Sequence, residues 1–127
     1  MSMARLEHTN ITVSDPKATA EWLRRIFGWR IRWEGPGMQT GYTVHVGSDE
    51  SYVALFSYGD SLNERTESYR TLGGLNHIAV FVDEDIDQVE KRVSEAGFTP
   101  RSHGDYAPGR RFYFQDVDGI EWEVASH

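Results

Sequence analysis

The 127-residue sequence contains no cysteine. Disulfide bonds, thiolate metal sites and cysteine nucleophiles are therefore excluded, and histidine and carboxylate side chains remain as ligands for a transition metal. The sequence also lacks an apolar run near the roughly eighteen residues of a membrane-spanning helix, and it has no charged-then-apolar N-terminal signal. We therefore expect a soluble, cytoplasmic protein with no membrane partner.

Positive charge is also scarce. The 13 Lys and Arg residues stand against 20 Asp and Glu residues, and the formal net charge is -7 with a pI near 5.1. Nonspecific binding to nucleic acid depends on basic patches, so this balance argues against a nucleic-acid partner and favours a small molecule. The length predicts one domain, which is large enough to bury a core without metal or disulfide crosslinks.

One sequence pattern occurs twice. The motif Leu-x-His, followed by alternating small and branched residues, is found at His8 and again at His77, 69 positions later. Gly28 and Gly97 keep the same offset, and each follows a stretch with helical periodicity. Because the offset extends from strand through helix to the glycine that ends it, the sequence predicts two copies of one structural unit.

The first copy is predicted to have the order βαβββ. Asp15 and Pro16 suit the start of a helix, and period-two alternation marks the strands. The predicted elements are a strand at 6–13, a helix that ends at Gly28, and strands at 29–34, 41–46 and 52–58, the last two joined by a turn at 47–50.

The second copy is predicted to repeat this order. Its elements are a strand at 77–82, a helix at 86–96, a strand at 98–102, a loop at 104–110, a strand at 111–115, a turn at 116–119 and a strand at 120–125. The Asp-Gly pair in that turn is a strong hairpin signal. The polar segment 59–72 is predicted to link two modules at about 4–58 and 73–127, with room for a short helical turn and a role as a lid.

Three potential metal ligands lie on these strands. Strand parity puts Glu121 and Glu123 on one face of the last strand, and His8 lies on the polar face of the first. If the two units pair, and each last strand lies beside its first strand, then His8, His77 and Glu123 converge. Two imidazoles and a carboxylate suit divalent Fe, Mn, Ni or Zn, with positions left for substrate. A lone histidine of this kind is more often a core residue, but its recurrence in register, together with the glutamate on the last strand, gives the metal interpretation equal weight.

The two βαβββ units, the Leu-x-His motifs and the closing run Asp-Val-Asp-Gly-Ile-Glu-Trp-Glu at 116–123 resemble the vicinal oxygen chelate superfamily over nearly the whole chain. This superfamily includes glyoxalase I, extradiol dioxygenases, and fosfomycin- and bleomycin-resistance proteins. The resemblance implies an α+β fold in which paired βαβββ modules form a curved, cupped mixed β-sheet with one helix per module on its outer face. It also implies a homodimer and metal ligation by His8, His77 and Glu123.

Comparison with individual families assigns further roles by resemblance. The fourth metal ligand of glyoxalase I falls at Leu55 in our alignment, so we expect a three-ligand site. The closing signature of extradiol dioxygenases implies a hydrogen-bond donor at Tyr113 and a substrate-positioning residue at His103. His45 is the substitute for their acid–base histidine. Glu121 is a weaker candidate for proton transfer.

Two groups of residues allow either a functional or a structural interpretation. Arg110 and Arg111 suit a substrate carboxylate, but a solvated loop pair is the simpler interpretation. Several aromatic side chains suit either an apolar pocket or a core and dimer interface, namely Trp33, Tyr42, Phe56, Tyr58 and Tyr106.

The sequence therefore predicts a divalent-metal-dependent enzyme of the glyoxalase/dioxygenase type, whose small substrate chelates the metal through vicinal oxygens. The alternative is a metal-free, bleomycin-resistance-type protein that binds a small molecule. A third hypothesis is a subunit or immunity-type partner.

Overall fold

The computed structural model describes residues 1–127, which divide into two compact units at 1–63 and 64–127. Each unit contains one long helix and one four-stranded mixed sheet in the order βαβββ. The predicted α+β class with two similar modules is therefore confirmed. The division falls inside the predicted linker, and residues 64–72 belong to the second unit.

The first unit consists of β1 (His8–Thr12), α1 (Pro16–Phe27), β2 (Arg30–Pro36), β3 (Tyr42–Gly47) and β4 (Tyr52–Ser57). Its sheet has the order β1-β4-β3-β2, in which β1 is parallel to β4 and the other pairs are antiparallel. The predicted hairpin of the third and fourth strands is confirmed. It closes where the amide of Ser48 donates to the carbonyl of Ser51 at 3.0 Å.

The ends of α1 follow from local chemistry. The Asp15 carboxylate accepts a hydrogen bond from the amide of Ala18 at 3.1 Å, and Pro16 occupies the first turn, where its missing N–H costs nothing. At the other end Gly28 adopts φ 71°, a left-handed conformation that suits glycine. The helix buries Trp22, Leu23 and Ile26 against the sheet.

The second unit consists of a short 3₁₀ turn (Ser68–Arg70), β5 (His77–Phe81), α2 (Ile86–Glu95), β6 (Arg101–Tyr106), β7 (Gly109–Gln115) and β8 (Glu121–Ala125). The sheet order is β5-β8-β7-β6, again with one parallel pair, β5 with β8. Its core includes Val89 and Val93 of α2 and the sheet residues Phe112, Phe114, Trp122 and Val124.

The strand predicted at 98–102 is present but displaced to 101–106, and the loop predicted at 104–110 is wrong except for the turn at 107–108. Phe98 leaves the sheet to end the helix: its amide donates to the carbonyl of Val93 at 3.2 Å, and its ring stacks on Phe114 with the centroids 5.5 Å apart. The strand β6 instead runs from Arg101 to Tyr106, through the stretch that its glycine had marked as a loop. Gly109 opens β7 rather than a loop, because a Cβ there would lie 1.8 Å from the carbonyl oxygen of Ser126.

The turn before β8 is built around Asp116. Its carboxylate accepts hydrogen bonds from the amides of Asp118 at 2.9 Å and Ile120 at 3.0 Å and from the indole Nε1 of Trp122 at 3.0 Å. Burial raises the pKa of this carboxyl, and the three donors oppose that shift in part. The network fixes where β8 begins and therefore which of its residues face each side.

Neither helix of the chain has the combination of length and apolarity that crossing a bilayer requires.

Candidate metal-binding site

Each sheet packs one face on its own helix, and we call the other face the open face. In the second unit, strand register determines which residues share it. His77 lies opposite Glu121, and Ala79 lies opposite Glu123. On the next strand Tyr113 lies opposite Glu123. Side chains at paired positions point to the same side of a sheet, so His77, Glu121, Glu123 and Tyr113 all belong to the open face.

His77 and Glu123 form the centre of this face. The Nε2 atom of His77 lies 3.2 Å from Oε1 of Glu123, and Glu123 is only 5% exposed. The other carboxylate oxygen, Oε2, accepts a hydrogen bond from Nη1 of Arg111 at 2.7 Å. Charge-assisted hydrogen bonds of this kind compensate a carboxylate for the water that it loses on burial.

The spacing of the His77–Glu123 pair suits a divalent metal. Imidazole nitrogen and carboxylate oxygen bind such ions at about 2.0–2.2 Å, so two ligands at roughly 90–110° stand about 2.9–3.5 Å apart. The observed 3.2 Å falls in this range. No group of three or more histidine and carboxylate side chains in the chain is arranged to hold an ion. The structure therefore brings together two of the three predicted ligands.

Tyr113 lies beside these two ligands. Desolvation of its hydroxyl and a hydrogen bond to Glu123 raise the pKa of the phenol, so it stays protonated at neutral pH. The phenol of Tyr113 can therefore donate a hydrogen bond to the Glu123 carboxylate.

His8 occupies the equivalent position in the first unit. It lies opposite Tyr52 on the neighbouring parallel strand, as His77 lies opposite Glu121. Its Nδ1 lies 2.9 Å from a carboxylate oxygen of Glu7, an orientation that directs Nε2 away from that partner. A carboxylate on one imidazole nitrogen is the usual support for a histidine that binds metal through the other.

His45 lies on the same open face as His8. Its ring stacks on Tyr52 with the centroids 4.7 Å apart, and it lies 6.5 Å from the ring of His8 and 5.3 Å from that of Trp33. Burial lowers the pKa of His45, and electrostatic interactions with His8 and Arg32 lower it further. The imidazole is therefore neutral at pH 7 and able to accept a proton.

The alignment that put Leu55 at the position of the missing fourth ligand is wrong by one residue. Asn10 pairs with Ala54, just as Ala79 pairs with Glu123, so the equivalent of Glu123 is Ala54. Leu55 faces the opposite side and is fully buried. The absence of a carboxylate from this position in the first unit holds in either alignment.

The structure separates His103 from the open face. An irregularity between Arg101 and Gly104 turns its side chain towards α2, where Nε2 lies 2.7 Å from Oε1 of Glu90 and the ring stacks on Phe112. The predicted substrate-positioning role beside Tyr113 does not fit this placement.

Glu121 lies on the open face as predicted, but both of its oxygens already accept hydrogen bonds. The Tyr69 hydroxyl donates to Oε1 at 3.1 Å, and Nη2 of Arg101 donates to Oε2 at 3.2 Å. Neither donor residue was among the predicted site residues, because Arg101 is 20 positions and Tyr69 is 52 positions from Glu121 in the sequence.

The interpretation of Arg110 and Arg111 as a solvated loop pair is also wrong. Both belong to β7 and point to opposite sides: Arg110 bonds Asp87 of α2 at 2.8 Å, and Arg111 bonds Glu123. Strand alternation could have predicted that Arg111 shares a face with Tyr113, because the two are two residues apart, and that Arg110 lies on the opposite face.

These two βαβββ units, with histidines on their first strands, define a vicinal oxygen chelate fold. A family model for the Glyoxalase/Bleomycin resistance protein/Dioxygenase superfamily matches residues 5–124. The chain belongs to that superfamily. A search of curated protein sequences gives no match.

Several solved structures share the fold. A glyoxylase/bleomycin resistance protein/dioxygenase domain from Frankia sp. EAN1pec has a TM-score of 0.81 and 23% identity, covering 98% of each chain. Fosfomycin resistance protein FosX from Mesorhizobium loti has a TM-score of 0.72 and 25% identity, covering 98% of this chain and 92% of that one. FosX from Listeria monocytogenes, complexed with Mn(II) and a sulfate ion, has a TM-score of 0.73 and 23% identity, covering 99% and 94%.

Proposed function

We propose that this protein is a divalent-metal-dependent enzyme that acts on a small anionic substrate with two adjacent oxygens. The observation that carries the proposal is the His77–Glu123 pair, whose 3.2 Å separation suits two ligands of one ion. Arg111 supports the pair by holding the second carboxylate oxygen, an arrangement typical of the residues behind metal ligands.

In this proposal His8 is the third ligand, and the open positions of the ion receive the substrate oxygens. The bound ion would act as a Lewis acid that stabilises negative charge on those oxygens. Because His8 belongs to the first unit and the other two ligands to the second, a complete site needs one unit of each kind. We propose that a homodimer supplies them.

Charge on the open face of the second unit favours an anionic substrate. Glu121 and Glu123 are balanced by Arg101 and Arg111, with one ion pair for each carboxylate. A divalent cation added to this balanced set would leave an excess of positive charge. Such an excess attracts a carboxylate, phosphonate or ionised diol.

Proton transfer in this scheme falls to His45. It is a neutral imidazole on the open face of the first unit, 6.5 Å from the ring of His8. Tyr113 serves as a hydrogen-bond donor towards the ligand carboxylate and the substrate. Glu121 is a poorer proton acceptor than His45, since two donors already occupy its oxygens.

The metal assignment can be tested by elemental analysis of protein prepared without chelators and supplied with Mn(II), Fe(II), Ni(II) or Zn(II), each of which accepts these ligands. Mn(II) comes first, because FosX from Listeria monocytogenes was solved with that ion. We expect one ion per chain, lost in His77→Ala and Glu123→Ala but retained in His103→Ala. A wild-type protein that takes up none of the four ions would overturn the proposal.

Mixing two inactive variants tests the homodimer and the role of His8. If the site combines His8 of one copy with Glu123 of another, then His8→Ala and Glu123→Ala chains, mixed and refolded together, regain metal in the hybrid dimers. If each site lies within one chain, every site in the mixture keeps one defect and no metal returns. Loss of metal in His8→Ala alone supports ligation in both cases.

The reaction can be narrowed by three assays on the metal-loaded protein. These are hydration of fosfomycin with Mn(II), oxygen consumption with a catechol panel under Fe(II), and isomerisation of a hemithioacetal under Ni(II). Activity in one of them, abolished by His77→Ala and reduced by His45→Gln, is the expected result.

A metal-free small-molecule binding protein is the second candidate, and one observation favours it. The open face of the first unit carries an aromatic group of Trp33, His45 and Tyr52, and Trp33 is 51% exposed. Exposed rings of this kind can stack on a planar ligand. Binding of an aromatic ligand that quenches tryptophan fluorescence equally with and without EDTA would favour this function over the enzyme.

A further inference from the structure

The first residues of the second unit form an ordered segment, and we call residues 65–74 the strap. The Glu67 carboxylate accepts a hydrogen bond from the amide of Tyr69 at 2.9 Å, and the hydroxyl of Thr71 donates to the carbonyl of Glu67. Gly74 closes the turn: its amide donates to Thr71 at 2.9 Å, and a Cβ on it would lie 2.6 Å from the carbonyl oxygen of Ser68. Hydrogen bonds within the strap therefore hold it in a defined turn.

Arg65 ties the strap to the sheet. Its Nη2 atom donates to the carbonyl of Leu75 at 3.0 Å, just before β5, and lies 3.4 Å from the hydroxyl of Ser68. Its Cδ would lie 3.1 Å from a Cβ on Gly119, in the turn between β7 and β8. The strap is thus attached beside the strand ends that carry His77 and Glu121.

The strap brings the Tyr69 hydroxyl to the open face, 3.1 Å from Oε1 of Glu121. Glu121 lies opposite His77 in the register of β8 and β5, so their Cβ atoms lie about 5 Å apart. It is two residues from Glu123 on the same face, a separation of roughly 7 Å. A ligand held between His77 and Glu123 therefore needs to extend only a few ångström to reach this hydroxyl.

The hydroxyl of Tyr69 can change partners at low cost. Its pKa is raised by desolvation and by the bond to Glu121, so at neutral pH it is a donor. Glu121 has a second partner, because Arg101 donates to its other oxygen at 3.2 Å. If Tyr69 turns to a substrate anion, Glu121 keeps a charge-assisted hydrogen bond.

A polar cavity of about 220 Å³ lies under the strap, lined by Arg65, Tyr69, Asn76, Gln115 and Glu121 among others. At roughly 30 Å³ per water, this is the volume of about seven water molecules, enough for a carboxylate or phosphonate group. Its lining combines amide, phenol and guanidinium donors with the carboxylates of Glu67 and Glu121. Each carboxylate has its own arginine, Arg70 for Glu67 and Arg101 for Glu121, so the charge of Arg65 remains to attract an anion.

We propose that Tyr69 is a substrate-positioning residue and that the cavity under the strap receives a second anionic group of the substrate. This inference rests on the proposed function, in which the metal holds the vicinal oxygens. It narrows the substrate class to molecules that carry an additional carboxylate or phosphonate beyond the chelating pair.

The test compares two vicinal diols that differ by one carboxylate. Catechol and 3,4-dihydroxybenzoate are titrated without oxygen into the Mn(II)-loaded protein by calorimetry. We expect Tyr69→Phe to weaken binding of 3,4-dihydroxybenzoate about tenfold, the effect of one hydrogen bond to a charged group, and to change catechol binding less than twofold. Ser94→Ala, which removes an exposed hydroxyl from α2, is the control and should change neither affinity.

The outcomes separate this inference from the proposal beneath it. Suppose that Tyr69→Phe keeps its Mn(II) stoichiometry and its melting temperature. If its affinity then falls equally for both diols, or for neither, Tyr69 does not contact the second anionic group and the inference is overturned. The metal-dependent function would then stand. If the wild-type protein binds neither Mn(II) nor the diols, both fail.

Discussion

Adjacent residues of β4 face opposite sides of the first sheet, and substituting each by glutamate tests the register on which the site depends. Leu55 is fully buried, on the side that packs against α1. Ala54 lies on the open face, opposite His45 on β3 and Asn10 on β1. We expect Leu55→Glu to unfold the protein and Ala54→Glu to remain folded.

The expected difference follows from burial and charge. Losing the burial of a leucine side chain costs about 1.5–3 kcal/mol. A glutamate in that core must be protonated, and protonating a carboxyl of pKa about 4.3 at pH 7 costs about 3.7 kcal/mol. The total of about 5–7 kcal/mol is similar to the whole stability of many domains, which begins near 5 kcal/mol. Ala54 is itself only 1% exposed, but it lies on the open face, where a longer side chain can extend away from the core with its charge, so crowding by its neighbours limits the cost to about 1–2 kcal/mol.

Urea denaturation followed by circular dichroism measures both variants, with Mn(II) titration of any that fold. Because Ala54 is the equivalent of Glu123, its glutamate would stand beside His8 as Glu123 stands beside His77, and Mn(II) affinity should rise. Equal destabilisation of the two variants, or a Leu55→Glu protein with the wild-type midpoint, would show that the register is not as described.

Three further predictions concern single residues. Replacing Arg111 with Met should lower Mn(II) affinity about 10–100-fold by calorimetry, because the ligand carboxylate loses its supporting donor, whereas Arg110→Met on the opposite face should have no effect. Asp116→Asn should lower the free energy of unfolding by about 1–3 kcal/mol in urea, because its amide nitrogen cannot accept from one of three donors. The folded-state pKa of His45 is lowered, so metal-free wild-type protein should lose stability as the pH falls below the unfolded value of about 6.5 and through the lower folded value. His45→Gln should lack that part of the loss in melting temperatures measured between pH 8 and 5.

Much of the fold could be predicted because its signals are local. Asp15 and Pro16 start a helix through hydrogen bonds within one turn, and Gly28 ends it through its own φ. Because His8 and His77 are separated by the same 69 positions as Gly28 and Gly97, the strand and helix predicted for the first copy could also be predicted for the second. The same reasoning was wrong at Gly109, where glycine serves a close approach to Ser126 instead of a loop. That approach joins residues from two strands, and no local pattern reports it.

The candidate site could likewise be predicted only where its signals are local. Strand alternation alone predicted that Glu121 and Glu123 share a face and that Tyr113 belongs to a strand. Arg111 was missed because its partner, Glu123, lies on the neighbouring strand. Tyr69 was missed because a turn of the strap carries it to Glu121, 52 positions away. Distances of this kind depend on how the chain closes on itself.

The sequence by itself determined the repeated βαβββ order, the ends of the first helix and the histidine on each first strand, because these depend on residues within a few positions of one another. Only the tertiary structure decided that Ala54 rather than Leu55 is the counterpart of Glu123, that Arg111 rather than Arg110 supports it, and that Tyr69 reaches the open face. The physical reason is that alternation specifies faces within one strand. Register between strands is set by the packing of each sheet against its helix, and a shift of one residue exchanges the two faces.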